Sequence, residues 1–212
     1  MPENRMLSLL EQGDWGEDQP MIDALKQWRF YPLLIETYRT MDEGALYKSK
    51  IHGSGHIHRV LFLAAVICWK EDTDEEMVRQ LFRAASYHDV GRTFDGFDLD
   101  HGARSSLRLE ELTGQTGENL IELKAAVTAH ARPDDQMEDI LVAFHPEDLE
   151  RTRELTRLLK DADNLDRTRL GDLKTKYLRH ESAKALGDFS WRLFRLDQSW
   201  KKKQKKQKFW KV

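Results

Sequence analysis

The sequence predicts an all-α fold, and three observations carry that prediction. Apolar residues recur at helical spacing, as in Val60, Leu63, Ala64 and Ile67, or Val78, Leu81 and Ala85. Each such segment therefore presents one apolar face. No stretch alternates apolar and polar residues with period two, and no βαβ pattern is present. Twelve glycines and five prolines in 212 residues leave few places where a helix must stop.

In chain order, residues 1–45 read as an N-terminal helical extension. Within them 20–40 is one helix, bent or broken where Pro32 falls. Gly53 and Gly55 mark a turn before a helix over 56–70. Thr73 with Glu76 forms a capping box that starts a helix running to His88. Residues 95–100 (DGFDLD) read as a loop. A helix over 101–112 is closed by Gly114, and another over 118–131 stops at Pro133. Pro146 suits the first turn of a helix that passes Leu159 and Asp163. A last helix covers 183–196. The principal domain is thus 46–200, and 201–212 is a basic, lysine-rich tail.

Composition excludes several classes. The longest apolar run, 60–69, is ten residues, against the roughly 20 a membrane-spanning helix needs. The start, MPENRMLSLLEQ, has no apolar signal core, so cytoplasmic residence is the expectation. Cys68 is the single cysteine, which removes internal disulfides and Cys-x-x-Cys zinc sites. Net charge is −3, but seven lysines fall in the last twelve residues, leaving −10 on 1–200. An acidic body argues against a domain coated for nucleic acid. The tail reads as a solvated end, able to touch nucleic acid or anionic lipid with Phe209 and Trp210 alongside its lysines.

The histidines carry the chemistry. His56 shares a stripe with Val60, Leu63, Ala64 and Ile67; His88 with Val78, Leu81 and Ala85; His130 with Leu120, Leu123 and Val127. Each imidazole falls on the core-facing side of its helix. One such histidine is ordinary core; three on separate helices, each near a helix end, point to one shared metal ion. Asp89 follows His88, and neighbours on a helix point about 100° apart. Both reach one site only if the helix ends there, which Gly91 permits. Further on, Asp161 and Asp163 sit among leucines, and periodicity does not choose between them.

With these residues in place the chain resembles the HD superfamily of metal-dependent phosphohydrolases. The resemblance rests on His56 in HIHRVLFLAAV, His88-Asp89 in ASYHDVGR and the late aspartate in KDADNLDR, over roughly 50–170. It implies an HD-domain helical bundle. It also implies a divalent metal (Mn, Fe, Zn, Co or Ni) held by His56, His88, Asp89 and Asp163, with Asp161 behind them. Members with two metals use the order His, His-Asp, His, His, Asp, which His101 and His130 complete here; otherwise those two rings line the pocket and bind phosphate. Asp89 could bridge metal and water, or two metals. Such an ion lowers the pKa of its water and offsets phosphoryl charge. Arg59 and Arg92 rank first for phosphate, with Arg104, Lys160, Arg167 and His52 as further substrate contacts. The segment 176–179 could fold back over the pocket. His58, His145 and His180 are expected at the surface.

The residues after His88-Asp89 are Val90-Gly91-Arg92-Thr93, without the Glu-Asp pair of alarmone hydrolases or the glutamate of 5′-deoxynucleotidase-like members. The Gly-Tyr-Pro signature of the cyclic-di-GMP branch is missing too. The expected activity is hydrolysis of a phosphomonoester or phosphodiester of a nucleotide or related small metabolite. The rival readings are a di-iron oxygenase and a nucleotide-binding module without turnover.

Overall fold

Helix α4 (Ser54–Lys70) is the axis of the molecule, and every residue from His56 to Cys68 is buried. A helix apolar all round must be covered on all sides. The computed structural model, which describes residues 4–209, supplies the cover. Before α4 come α1 (Arg5–Gln12), α2 (Gln19–Lys26) and α3 (Tyr31–Thr40). After it come α5 (Glu75–Tyr87), α6 (His101–Ser106), α7 (Leu109–Thr113), α8 (Gly117–His130), α9 (Asp134–Ala143) and α10 (Leu149–Leu165). The series closes with α11 (Glu181–Ala185) and α12 (Gly187–Phe209). Short 3-10 turns cover Gly16–Asp18, Asp166–Leu170 and Thr175–Tyr177. No strand occurs among the described residues, and no helix of theirs is long and apolar enough to cross a membrane.

α4 packs against α5 and α10, with α1, α3, α11 and α12 on its remaining sides. α8 lies between α6 and α10 and carries α9 on its outer face. One core runs from Met6 to Leu193 and includes Leu9, Leu10, Trp15, Ile22, Leu25 and Leu34. Residues 4–45 therefore share their hydrophobic interior with α4 rather than forming a separate body. Trp15 sits on Phe62, with ring centroids 5.5 Å apart, and Phe62 meets Phe189 of α12 at 6.2 Å. Burying each such side chain contributes about 1.5–3 kcal/mol. Ala125, Ala129, Met137 and Leu141 form a satellite cluster beneath α9.

Several boundaries differ from the sequence reading. The break in 20–40 falls at 27–30, and Pro32 sits inside the first turn of α3, where its missing N–H is harmless. Asp74, not Thr73, caps α5: its side chain accepts from Met77 N at 3.0 Å. The expected helix over 101–112 is two, α6 and α7, parted at Leu107 and Arg108; Gly114 closes α7 with φ 65°. α9 was not anticipated. Pro146 precedes α10, whose cap is Asp148, accepting from Arg151 N at 2.9 Å. The last helix begins at Gly187 and carries into the lysine-rich segment as far as Phe209, where disorder was expected; Lys202 and Lys203 are exposed, as a solvated tail requires. The side chain of Phe209, and Trp210 with the two residues after it, lie outside the described residues.

Candidate metal centre

Five helix ends and the turn after one of them meet at one place. His56 stands in the first turn of α4, and His88 caps the C-terminus of α5. His101 opens α6, His130 closes α8, and Asp163 lies in the last turn of α10. α5 stops at Tyr87, so Asp89 is free of helical geometry and turns to the same side as His88. Gly91 makes this turn possible. A Cβ there would lie 2.3 Å from Ser105 N and 2.7 Å from His101 O, so only glycine lets α6 come this close.

The nitrogens and oxygens converge. His56 Nε2 lies 3.2 Å from His88 Nε2, 3.3 Å from Asp163 Oδ1 and 3.5 Å from Asp89 Oδ2. On the other side, Asp89 Oδ1 is 3.0 Å from His101 Nε2, which is 3.0 Å from His130 Nε2. The two oxygens of Asp89 thus face two halves of one cluster. All of these groups except Asp163 are essentially sealed from solvent.

The outer ring nitrogens decide the tautomers. His88 Nδ1 donates to Ala85 O at 3.0 Å, His130 Nδ1 to Val127 O, and His101 Nδ1 to Asp98 O. His56 Nδ1 donates to Asp166 Oδ2 at 2.8 Å. A neutral imidazole with Nδ1–H presents a lone pair at Nε2. Four ring nitrogens therefore turn inward beside two carboxylates, an arrangement that a cation between them would satisfy. The hydrogen-bonded backs of the rings are the support a metal-binding histidine needs.

Charge agrees with geometry. Burial pushes the His88 imidazole down to about 4, and burial with His101 and His88 holds His130 well below its ordinary value. Burial and Arg169 oppose protonation of His56, but Asp163, Asp166 and Asp89 outweigh them and bring it to about 9. Despite burial, Asp89 stays well below the usual carboxylate range because His88, His101, His52 and His56 surround it. A positive charge belongs at the centre of this cluster, and the donor set of imidazoles and carboxylates fits a divalent transition metal. Three overlapping groups could hold an ion: His52, His56 and Asp89; His56, His88 and Asp163; and His88, Asp89 and His130.

His101, His130 and Asp163 of the cluster line a cavity of about 760 Å³. Among its lining are His52, Arg92, Lys160, Arg167 and Arg169. His52 Nδ1 is 3.2 Å from Asp89 Oδ2. Arg92 Nε stands 2.9 Å from Asp89 Oδ1, an ion pair without hydrogen-bond alignment. Lys160 lines the wall but is anchored to Arg132 O at 2.6 Å and Asp134 Oδ1 at 2.8 Å. Arg167 is paired with Asp172. Tyr177 and Arg179, from the segment expected to fold back, also line the cavity.

Other expected positions change. Arg59 does not line the cavity: it is buried behind His56, held by Asp166 and Asp197, because a guanidinium at 4% exposure must lie against carboxylates. Arg104 also points away, its Nε donating to Gly91 O at 2.8 Å and its tip pairing with Asp98. His58, expected at the surface, is buried between Asn4 at 3.3 Å and Glu43 at 3.1 Å. His180 is half-buried, bonded to Asp161 and Glu154. Asp161 is directed away from the histidines, accepting from the backbone N–H of Arg179 and His180. His145 is exposed.

Sequence reading missed Asp166 and Arg169. Asp166 is three after Asp163, at the end of a buried helix, and a buried Arg59 needs an acid somewhere; that was the available signal. Arg169 sits in the following 3-10 turn with Nη2 3.3 Å from His52 Nδ1.

No curated protein and no solved structure is similar enough to match the chain. The family model described as the HD domain matches residues 53–168, more than half of the chain. That segment runs from just before His56 to just past Asp166. It contains His56, His88, Asp89, His101, His130 and Asp163, with His52 just before it, and the chain belongs to the HD domain family.

Proposed function

We propose that the protein is a metal-dependent phosphohydrolase using two divalent ions on a small phosphate ester, a nucleotide or related metabolite. The observation that carries this reading is Asp89, whose Oδ2 faces His56 while Oδ1 faces His101. It divides six donors into two sets sharing one carboxylate: His56, His88 and Asp163 on one side, His101 and His130 on the other. Divalent ions bound there would lower the pKa of a water and offset charge on a phosphoryl oxygen. The chain itself does the rest. Arg92 and Arg169 flank the cluster and supply planar donors for phosphoryl oxygens. His88 and His130, kept neutral by burial, hold lone pairs toward the cluster at neutral pH. The cavity admits a ligand of nucleotide size.

The same six donors suit a di-iron oxygenase, but the guanidiniums of Arg92 and Arg169, which line the cavity with nitrogens that make no hydrogen bond among the described residues, favour a phosphorylated substrate. The test is metal content and phosphate release together. The native chain is expected to hold about two ions and to release phosphate or nitrophenol from phosphate esters without oxygen uptake. His88→Ala and Asp89→Ala should lose both ions and turnover. Full hydrolysis by either variant after chelation overturns the site, and substrate-dependent oxygen uptake with two irons moves the reading to an oxygenase.

A further inference from the structure

Behind the metal cluster lies a line of buried charges that the proposed function does not use. It starts at Asp197 on α12, which is 1% exposed. Asp197 accepts from two arginines of different helices. Arg5 of α1 donates its Nε to Oδ1 at 2.9 Å, and Arg59 of α4 donates Nη1 to Oδ2 at 2.6 Å. Arg59 then reaches forward: Nε and Nη2 donate to the two oxygens of Asp166 at 2.6 and 2.9 Å. Asp166 Oδ2 in turn accepts His56 Nδ1 at 2.8 Å. The line ends on the ring whose Nε2 faces His88, Asp163 and Asp89.

The chemistry of this line is directional. A guanidinium is a flat fork with fixed donor directions, so two carboxylates on its edges fix its plane. With Asp197 in place, Arg59 has one orientation. Asp166 is then held with one oxygen aimed at Nδ1, and the imidazole is locked in both tautomer and rotation. Without Asp197, Arg59 is held on one edge only, its Nη1 and the Arg5 guanidinium lose their shared acid, and Asp166 is free to turn with Arg59. Arg5 and Asp197 both lie outside residues 53–168. The terminal helices thus add to the family segment a clamp that the segment does not itself contain.

We propose that Asp197 is a positioning residue for His56: through Arg59 and Asp166 it keeps Nδ1 protonated and Nε2 turned into the cluster, so that metal affinity is set from the last helix. The inference rests on the metal-centre reading above.

Zinc alone is the probe. The metal-stripped full-length chain is titrated with Zn²⁺, and ring-nitrogen NMR is recorded on the zinc-loaded protein. The native chain should show His56 with its proton on Nδ1. Asp197→Asn should weaken zinc binding by about tenfold or more, the range for losing support behind a metal-bound histidine. It should also broaden or shift the His56 Nδ1 signal while the His101 and His130 signals stay in place. Asp197→Glu, which restores the acid, should recover part of both. If Asp197→Asn fails to fold, Arg59→Lys keeps the charge but removes the fork, and the same losses are expected. Native zinc affinity with an unmoved His56 signal in these variants overturns the inference, as does a native His56 protonated on Nε2. A native chain that takes up neither zinc nor manganese overturns the metal-centre reading, and the inference falls with it.

Discussion

Arg169 presents a guanidinium that is 7% exposed, with Nε and Nη1 making no hydrogen bond among the described residues. Its nearest acids are Asp166 at 3.7 Å and Asp163 at 4.0 Å. A buried cation so loosely held, on the wall of the cavity, is ready for an anion. Charge-assisted hydrogen bonds contribute about 1.5–3 kcal/mol, so Arg169→Met should lower kcat/KM for a phosphate ester by about 10–100-fold. Metal content per chain should not change; if the metals leave instead, Arg169 supports the cluster rather than the substrate. His180 gives a pH prediction. Asp161 and Glu154 raise its imidazole to about 9 against the effect of burial, above an unfolded value of about 6.5. The stabilisation is complete below about 6.5 and is lost as pH rises through about 9. Melting temperature should fall over that window, and His180→Gln should flatten the fall. An identical pH profile in the variant would remove His180 as the cause. At this scale the sequence reveals faces but not partners. His56, His88 and His130 could be read because an imidazole on an apolar stripe is conspicuous. Arg59 could not, because its acids stand 107 and 138 positions away in the chain.

Among the elements, the end of α5 governs the geometry. α6 packs so closely on the turn after His88-Asp89 that Gly91 cannot carry a side chain. Gly91→Ala forces the backbone of α6 outward and takes His101 with it. The expected cost is about 1–3 kcal/mol, as for overpacking, with loss of one of two bound ions. Gly96→Ala, in the exposed loop where the neighbour is only the movable Phe94 ring, should change neither melting temperature nor metal content. Helices with strong apolar stripes were readable: α4, α5, α8 and α10 all lie close to their expected places. α9 was not, because it buries only Met137 and Leu141. Its sequence, DDQMEDILVA, opens on acids and reads as the polar side of something else. The split between α6 and α7 has a similar cause, since Leu107 is exposed and marks no face.

Across the whole molecule, the division at residue 45 drawn from sequence does not correspond to a gap in packing. Periodicity shows that a helix has an apolar face but not which helix covers it. Leu9 of α1 is fully buried in the same core as Phe62 and Phe189. Leu9→Ala should therefore cost about 2–5 kcal/mol, read as a lower denaturant midpoint for a single unfolding transition. Two separate transitions, with only the smaller one moved, would mean that the N-terminal helices form their own unit. The meeting of Arg5 with Asp197, 192 positions apart, has a consequence in time. A chain leaves the ribosome N-terminus first, and its early segments fold before the late ones exist. Arg5, His56, Arg59 and Asp166 are all made while Asp197 is still to come. The newborn protein thus passes through a stage in which its family segment is complete and Arg59, behind His56 and Asp166, still lacks its second acid. With Asp197 in the role proposed for it, the centre matures only once the last helix docks, and a ribosome-stalled chain ending before Asp197 should bind zinc more weakly than the full chain.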